Sequence, residues 1–163
     1  MMKIILITYA TPTPDNFKAA SALSFHLCKY RPENAELEIY SFNANNVSEN
    51  VVQHIGKELN ANIHIVPTNK YINYLFKTHT VFLKNFLPYP FNYYNSLSLE
   101  IVEEINNKRP DAIWINGDFM LKVLKQFDGY KKVLTMPDCV CLYYNRLLKD
   151  DWCKQSWLKT FGN

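Results

Sequence analysis

Short apolar runs recur along the chain and predict a set of buried strands. The first run, KIILITYA at 3–10, is rich in β-branched residues and apolar on both faces. That pattern is typical of a strand that is covered on both sides, as in a parallel sheet. Four further strands are predicted at LEIYSF, at NIHIVP, at Ala112–Asn116 and at KKVLTMP.

Segments of mixed polarity separate these runs and predict helices. The first helix ends near Lys29, and Asp15 or Asn16 can cap it because their side chains accept a bond from a free backbone N–H. Ser48 is the predicted cap of the second helix, which ends near Leu59. Further helices are predicted at 70–87, 96–107 and 118–126, and from Asp138 to about Leu148.

The alternation of strands and helices predicts an α/β fold, a Rossmann-like doubly wound parallel sheet with helices on both faces in three α/β/α layers. Ligands of such sheets lie outside the carboxyl ends of the strands, at the point where the strand order reverses. Four segments follow predicted strands at that edge: Thr11–Phe17, Asn43–Asn46, Asn116–Phe119 and Met136–Cys141.

Composition adds constraints on the class of protein. The 163 residues are 48% hydrophobic and 20% charged, which is ordinary for one folded domain. A net charge of +3 without a Lys/Arg block argues against a nucleic-acid partner. The opening segment is predicted to be a strand and not a signal peptide, and no run reaches the ~18 apolar residues of a membrane span. Four cysteines lack zinc or disulfide spacing and are predicted to be reduced thiols of a cytoplasmic protein: Cys28, Cys139, Cys141 and Cys153.

Several cofactor and catalytic motifs are missing. The loop after the first strand has no glycine, although a dinucleotide fingerprint needs glycines there for close approach of the pyrophosphate. A P-loop and a G-x-S-x-G elbow are absent too. The chain is therefore predicted to bind no cofactor. The histidines are scattered without metal-ligand spacing, so no metal is predicted: His26, His54, His64 and His79.

The segments KIILITYATPTPDNFKAASALSFHL, RPDAIWING and KKVLTMPDCVCLYYNRLLKDDW carry a family resemblance. In this order they resemble the N-terminal domain of GT-B glycosyltransferases, above all the retaining family-four group. The resemblance implies that residues 1–150 form the acceptor-side domain and that 151–163 lead toward a missing C-terminal domain. It implies a nucleotide-sugar donor held by that domain, a sugar or lipid-linked acceptor, and a role in bacterial surface polysaccharide synthesis.

The sequence also departs from the family pattern. Asp15 and Asn16 stand where the family often has loop glycines, and Pro137 replaces the histidine of a His-Asp pair, leaving Asp138. The donor-binding half with its E-x7-E motif is absent. The resemblance therefore implies a retaining hexosyltransferase fragment that is inactive without its C-terminal domain.

Asp138 is the catalytic candidate. It follows the fifth predicted strand, where the family presents polar residues to the cleft, and its carboxylate can orient or deprotonate an acceptor hydroxyl. The alternative is that Asp138 caps the next helix. Tyr143 is a substrate-binding candidate because an aromatic face can stack on a sugar, and the alternative is that it packs beneath the sheet.

The loop after the first strand supplies further binding candidates. Thr11, Thr13, Asp15 and Asn16 can hydrogen-bond an acceptor hydroxyl or the edge of the donor phosphate. Alternatively, Asp15 caps the first helix while the prolines stiffen the turn. Lys18 can offset the charge that develops on a diphosphate leaving group, or it is a solvated lysine.

Asn116 and Asp118, after the fourth strand, are candidates for acceptor contacts through their carboxamide and carboxylate. The alternative is purely local, since Gly117 permits a positive φ and Asp118 is a good N-cap.

The segment 70–87 carries lysines at seven-residue spacing and a broad apolar arc. A helix of this kind can lie in a membrane interface with its lysines near anionic headgroups, which predicts a peripheral contact with the inner membrane. The alternative is a helix held between the sheet and the PYPFNYYN loop.

Two functions of other classes remain open from sequence. One is a stand-alone flavodoxin-like or receiver-like binding domain, although the third strand ends without an aspartate and TPTPDN is a poor phosphate loop. The other is a non-catalytic interaction module that keeps the fold.

Overall fold

A computed structural model describes residues 2–15, 21–68, 95–117 and 120–135. Within these ranges the chain forms five strands and four helices that alternate after the first strand. The strands are β1 Met2–Thr8, β2 Ala35–Ser41, β3 Asn62–Ile65, β4 Ala112–Asn116 and β5 Lys132–Thr135. The helices are α1 Ala22–Lys29, α2 Glu49–Leu59, α3 Leu99–Asn107 and α4 Leu121–Gln126.

The five strands form one parallel sheet in the order β3-β2-β1-β4-β5. Ile7 of β1 lies opposite Tyr40 of β2 on one side and Ile115 of β4 on the other. The chain moves outward from β1 to β3 and then returns to add β4 on the opposite side of β1. The predicted Rossmann-like parallel sheet is confirmed, and its order reverses between β1 and β4.

The central strands β1, β2 and β4 are buried on both faces of the sheet, which confirms the three predicted layers. Leu6 of β1 packs with Phe25 of α1 and Ile55 of α2 on one face. Its neighbours Ile5 and Ile7 point the other way, because successive side chains of a strand alternate between faces. The second core includes Ile105 of α3 and Leu97 before that helix, together with Val123 of α4 and Phe127 after it.

The helix starts differ in part from the prediction. Asp15 does not cap α1, because the N-cap position is Ser21 and the Asp15 backbone carbonyl instead accepts bonds from the Thr13 and Ser21 hydroxyls. Ser48 precedes α2 as predicted. The helix predicted from 96 begins at Leu99, since the hydroxyl of Ser98 accepts the N–H of Ile101 and closes the first turn.

Arg31 joins three elements at the amino edge of the sheet. Its guanidinium donates to the carbonyls of Cys28 at 2.7 Å, Leu59 at 2.7 Å, Asn60 at 3.0 Å and Ala35 at 3.1 Å. These carbonyls end α1, end α2 and begin β2. A cation suits that position because helix C-termini carry partial negative charge and unpaired carbonyls.

The predicted helices at 70–87 and 138–148, and the tail at 151–163, lie outside the described residues. In the part of the chain that the structure describes, no helix has the length and apolar character needed to cross a membrane.

Candidate functional site

The carboxyl ends of β1 and β4 meet at the point where the strand order reverses. We call the residues there, Thr8, Tyr9, Asn116 and Gly117, the switch-point edge. The Asn116 side-chain amide donates to the Thr8 hydroxyl at 3.2 Å, and that hydroxyl donates to the Ala10 carbonyl at 2.8 Å. The Asn116 residue is 6% exposed. The edge is therefore polar and pre-organised before any ligand arrives.

Gly117 shapes this edge through its backbone. Its φ of +121° lies in the region that favours glycine, as the sequence predicted. A Cβ at this position would lie 3.4 Å from the Cβ of Tyr9, at the short end of ordinary van der Waals contact, so the backbone conformation is what favours glycine here. The Gly117 N–H donates to the Thr135 carbonyl at 2.9 Å, so β5 also supports the edge. Burial raises the pKa of the Tyr9 hydroxyl, which keeps this phenol protonated at neutral pH.

The loop after β1 is held by buried hydrogen bonds from the loop after β2. Thr11 is fully buried, and its hydroxyl bonds to Ser41 Oγ at 2.8 Å and Asn43 Oδ1 at 2.9 Å. Asn45 accepts the Thr11 N–H and donates to the Thr11 carbonyl, both at 2.9 Å. The hydroxyl of Thr13 bonds to that of Ser21. Both predicted binding threonines thus take part in bonds that fix the loop.

Asparagines shape the loop after β2. Asn43 and Asn46 have φ values of 51° and 53°, a left-handed conformation that asparagine tolerates well. The Asn43 amide accepts the Val47 N–H and donates to the Val47 carbonyl, both at 2.9 Å. The sequence places the segment 43–46 at the ligand edge but predicts no binding residue within it. The signal that could have found Asn43 and Asn45 is the repeated asparagine directly after a buried strand.

A groove of about 540 Å³ runs beside the loop after β1 and along α2. Thr13, Pro14 and Asp15 form one side. The other side is formed by α2 and the residues before it. Its base is apolar and its rim is polar, and the rim includes His54. Asp15 is exposed at this groove. Asp15 therefore lies exposed beside α2, further along the loop than the residues of the switch-point edge.

The structure brings together only some of the predicted site residues. Thr11 and Asn116 follow or end the neighbouring strands β1 and β4, while Thr13 and Asp15 lie further along the loop, toward α2. The other predicted site residues lie outside the described ranges: Asn16, Lys18, Asp118, Asp138 and Tyr143.

The chemistry of the described strand ends is that of binding groups. Residues 8–11, 41–45, 65–66, 116–117 and 135 include hydroxyls, amides and the Tyr9 phenol, but within these described positions no carboxylate or imidazole. Hydroxyl and amide groups both donate and accept hydrogen bonds at neutral pH. They can select a polyhydroxylated ligand, whereas general acid–base catalysis needs a group that titrates near the working pH.

A second polar cluster lies on the face of β2 and β3, beneath α3. Glu38, His64 and Glu104 place possible metal-binding atoms within 4.8 Å of one another. The ammonium of Lys108, however, lies between the carboxylates, 2.5 Å from Glu38 Oε1 and 2.6 Å from Glu104 Oε1. It also donates to the Tyr40 hydroxyl at 2.7 Å. A protein cation already bridges the two carboxylates, and His64 Nε2 lies 2.7 Å from Glu38 Oε1, so the cluster is a polar network that joins β2, β3 and α3.

The direction of the pKa shifts agrees with this assignment. Desolvation lowers the pKa of Lys108, but hydrogen bonds to Glu104, Glu38 and Tyr40 outweigh it and raise the pKa overall. The bond from Lys108, followed by that from Tyr40, lowers the pKa of Glu104. Both groups therefore stay charged at neutral pH and hold each other in place.

Comparisons with known proteins do not add a relative from which a role could be transferred. The chain matches no protein-family model, no curated protein and no solved structure. Within the described residues, the groups that bear most directly on function are those of the switch-point edge.

Proposed function

We propose that this chain is the acceptor-binding, Rossmann-like domain of a GT-B-type glycosyltransferase. The observation that carries the proposal is the switch-point edge, where the Thr8 hydroxyl holds the side-chain amide of Asn116 at the reversal of strand order. Ligands of doubly wound sheets bind at this position. Groups that donate and accept hydrogen bonds match a sugar, whose hydroxyls do the same.

The absence of glycine from residues 9–21 supports a role of this chain in binding the acceptor and not the nucleotide-sugar donor. Without glycine the backbone of this loop has no ready close approach to a diphosphate. We therefore propose that the nucleotide-sugar donor is held by a further domain and that this chain holds the acceptor. Surface polysaccharide synthesis and a lipid-linked acceptor near 70–87 extend the same proposal.

Catalytic assistance is proposed for Asp138, which follows β5 in sequence. The described strand ends offer no carboxylate, so a group that orients or deprotonates the acceptor hydroxyl has to come from elsewhere. Lys18, Asp118 and Tyr143 keep their proposed roles in substrate binding.

Titration of the ¹⁵N-labelled chain with methyl glycosides of glucose, galactose and N-acetylglucosamine tests acceptor binding. We expect at least one glycoside to shift the backbone amides of Tyr9, Ala10 and Gly117. Asn116→Ala should weaken that binding roughly threefold to tenfold, the effect of one hydrogen bond.

Asn62→Ala is the matched control for this titration. Asn62 is exposed and begins β3, so it lies at the opposite end of the sheet. Its replacement should leave binding unchanged. Circular dichroism spectra of both variants establish that the fold persists. If none of the three glycosides shifts an amide at the switch-point edge, acceptor binding at this edge is refuted.

A non-catalytic interaction module is the second candidate, and one observation favours it. The hydroxyls of Thr11 and Thr13 are occupied by intramolecular bonds, which leaves fewer groups for a substrate. A flavodoxin-like or receiver-like domain is disfavoured, because those folds place the third strand beside the first, whereas β1 here lies between β2 and β4. Flavin added to the chain should accordingly remain unbound.

A further inference from the structure

We propose that Asn45 is a positioning residue that holds the loop after β1 in the conformation presenting the switch-point edge. This inference rests on the proposed acceptor-binding function. Asn45 lies in the loop after β2, thirty-four positions from Thr11, and is fully buried. The side chain of one loop thereby sets the backbone of another.

The geometry of the contact is that of a two-point clamp. Asn45 Oδ1 accepts the N–H of Thr11 and Asn45 Nδ2 donates to its carbonyl, each at 2.9 Å. A side-chain amide offers both an acceptor and a donor, so it can satisfy both backbone groups of one residue. A buried backbone group without a partner is costly, so these two bonds favour one loop conformation strongly.

Neighbouring hydrogen bonds restrict this loop conformation further. The hydroxyl of Thr11 reaches Ser41 and Asn43, and the Ala44 N–H donates to the Tyr9 carbonyl at 3.0 Å. Thr11 follows directly after Tyr9 and Ala10. The Tyr9 carbonyl accepts a bond from the loop after β2, and the Ala10 carbonyl accepts one from the Thr8 hydroxyl. Movement of Thr11 would therefore displace the residues that border Asn116.

The chain offers a matched control in Gln126 of α4. Its side chain makes the same pair of bonds, with the N–H and the carbonyl of Leu97, both at 2.9 Å. Leu97 lies before α3 and belongs to a different loop. Asn45→Ala and Gln126→Ala each remove a two-point clamp, but only the first removes one from the loop after β1.

Amide hydrogen exchange on the full chain tests the clamp directly. In Asn45→Ala the protection factor of the Thr11 amide should fall about tenfold or more relative to that of Ile5. The reason is that the conformational entropy lost when one residue's backbone is fixed corresponds to about a tenfold change in an equilibrium constant. The Gln126→Ala variant should leave the ratio of Thr11 to Ile5 unchanged. Equal ratios in the two variants would overturn the proposal.

Asn45→Asp supplies a rescue that a general loss of stability would not show. A protonated carboxyl can both donate and accept a hydrogen bond, as the amide does at Thr11, whereas a carboxylate cannot donate to the Thr11 carbonyl. Burial favours the protonated form. Protection of Thr11 and glycoside affinity in this variant should therefore recover as the pH falls from about 7 toward 5, with no such recovery in Asn45→Ala.

Glycoside titration of the same variants separates the two proposals. If wild type binds a glycoside and Asn45→Ala binds it about tenfold more weakly than Gln126→Ala does, the positioning role is supported. Equal affinities of the two variants would refute it. If wild type binds no glycoside, the proposed function fails, and with it the positioning role. In that case the Thr11 protection factors show only whether Asn45 holds the loop after β1.

Discussion

Individual buried polar residues decide how the ligand edge is built. Thr8, Thr11 and Asn45 are fully buried, and each uses its side chain in at least one hydrogen bond. Burial of a polar group is tolerated only when its bonds are satisfied, so these residues constrain the backbone more than exposed loop residues would. Burial acts on titration as well. It raises the pKa of the Cys28 thiol to about 12.

Cys28 gives a prediction about alkaline pH. Burial raises the pKa of its thiol from the ordinary value of 9.0 to about 12 in the folded chain, and the nearby Arg31 charge opposes this shift. Above about pH 9 the unfolded thiol ionises while the folded one stays protonated. The free energy of unfolding should then fall with a slope of about 1.4 kcal/mol per pH unit from this group.

Cys28→Ala should remove that component of the slope. Urea unfolding of both chains between about pH 8 and 11 measures the two slopes. Their difference reports Cys28 alone, because the tyrosines and the other cysteines contribute equally to both chains. Identical slopes would mean that the thiol ionises as readily in the folded chain as in the unfolded one.

At the scale of elements, loops and helix ends hold the layers in register. The loop after β2 holds the loop after β1 through Asn45. Gln126 of α4 fixes the loop that leads into α3. Arg31 joins the ends of α1 and α2 to the start of β2. These contacts come from residues far apart in sequence, and they orient the elements more specifically than apolar packing alone.

Arg31→Ala should lower the free energy of unfolding by about 2 kcal/mol, since charge-assisted bonds to helix-terminal carbonyls are lost. Arg109→Ala is the control, because Arg109 is an exposed residue just after α3 and its replacement should change stability by less than about 0.5 kcal/mol. Urea denaturation followed by circular dichroism measures both. Coincident midpoints for the two variants would show that Arg31 contributes no more than a surface arginine.

At the scale of the whole molecule, the described part of the sheet has largely apolar faces and a polar carboxyl edge. The faces are covered by α1 and α2 on one side and by α3 and α4 on the other. Among the described residues, the carboxyl edge where the strand order reverses is the position at which doubly wound sheets bind their ligands. That architecture carries many functions, so the proposed acceptor role depends on the residues at the edge and not on the fold.

Because the proposal assigns the nucleotide-sugar donor to another domain, it predicts that the chain alone transfers no sugar. Incubation with UDP-glucose or UDP-N-acetylglucosamine and the methyl glycosides should yield no new glycoside, because no described loop offers a glycine-rich phosphate cradle. Mass spectrometry of the products measures this, with the same mixture lacking protein as the reference. Robust transfer by the isolated chain would contradict the proposal that another domain holds the donor.

The amino-acid sequence by itself determined the types of element and most of their places. β4 was predicted at its observed bounds, and Ser48 and Gly117 were assigned the capping position and positive φ that they adopt. These features depend on local properties, namely apolar runs, capping groups and the freedom of glycine. The start of α1 was predicted wrongly, because Asp15 and Ser21 both have side chains of the capping type and the helix follows Ser21.

Only the tertiary structure decided which strands are neighbours and which polar groups meet. The placement of β4 beside β1 sets the bond between Thr8 and Asn116, residues that are far apart along the chain. The clamp of Asn45 on Thr11 likewise needs β1 and β2 in parallel register. A one-dimensional pattern records which residues prefer to be buried, but a hydrogen bond between distant residues exists only once the sheet has brought its strands together.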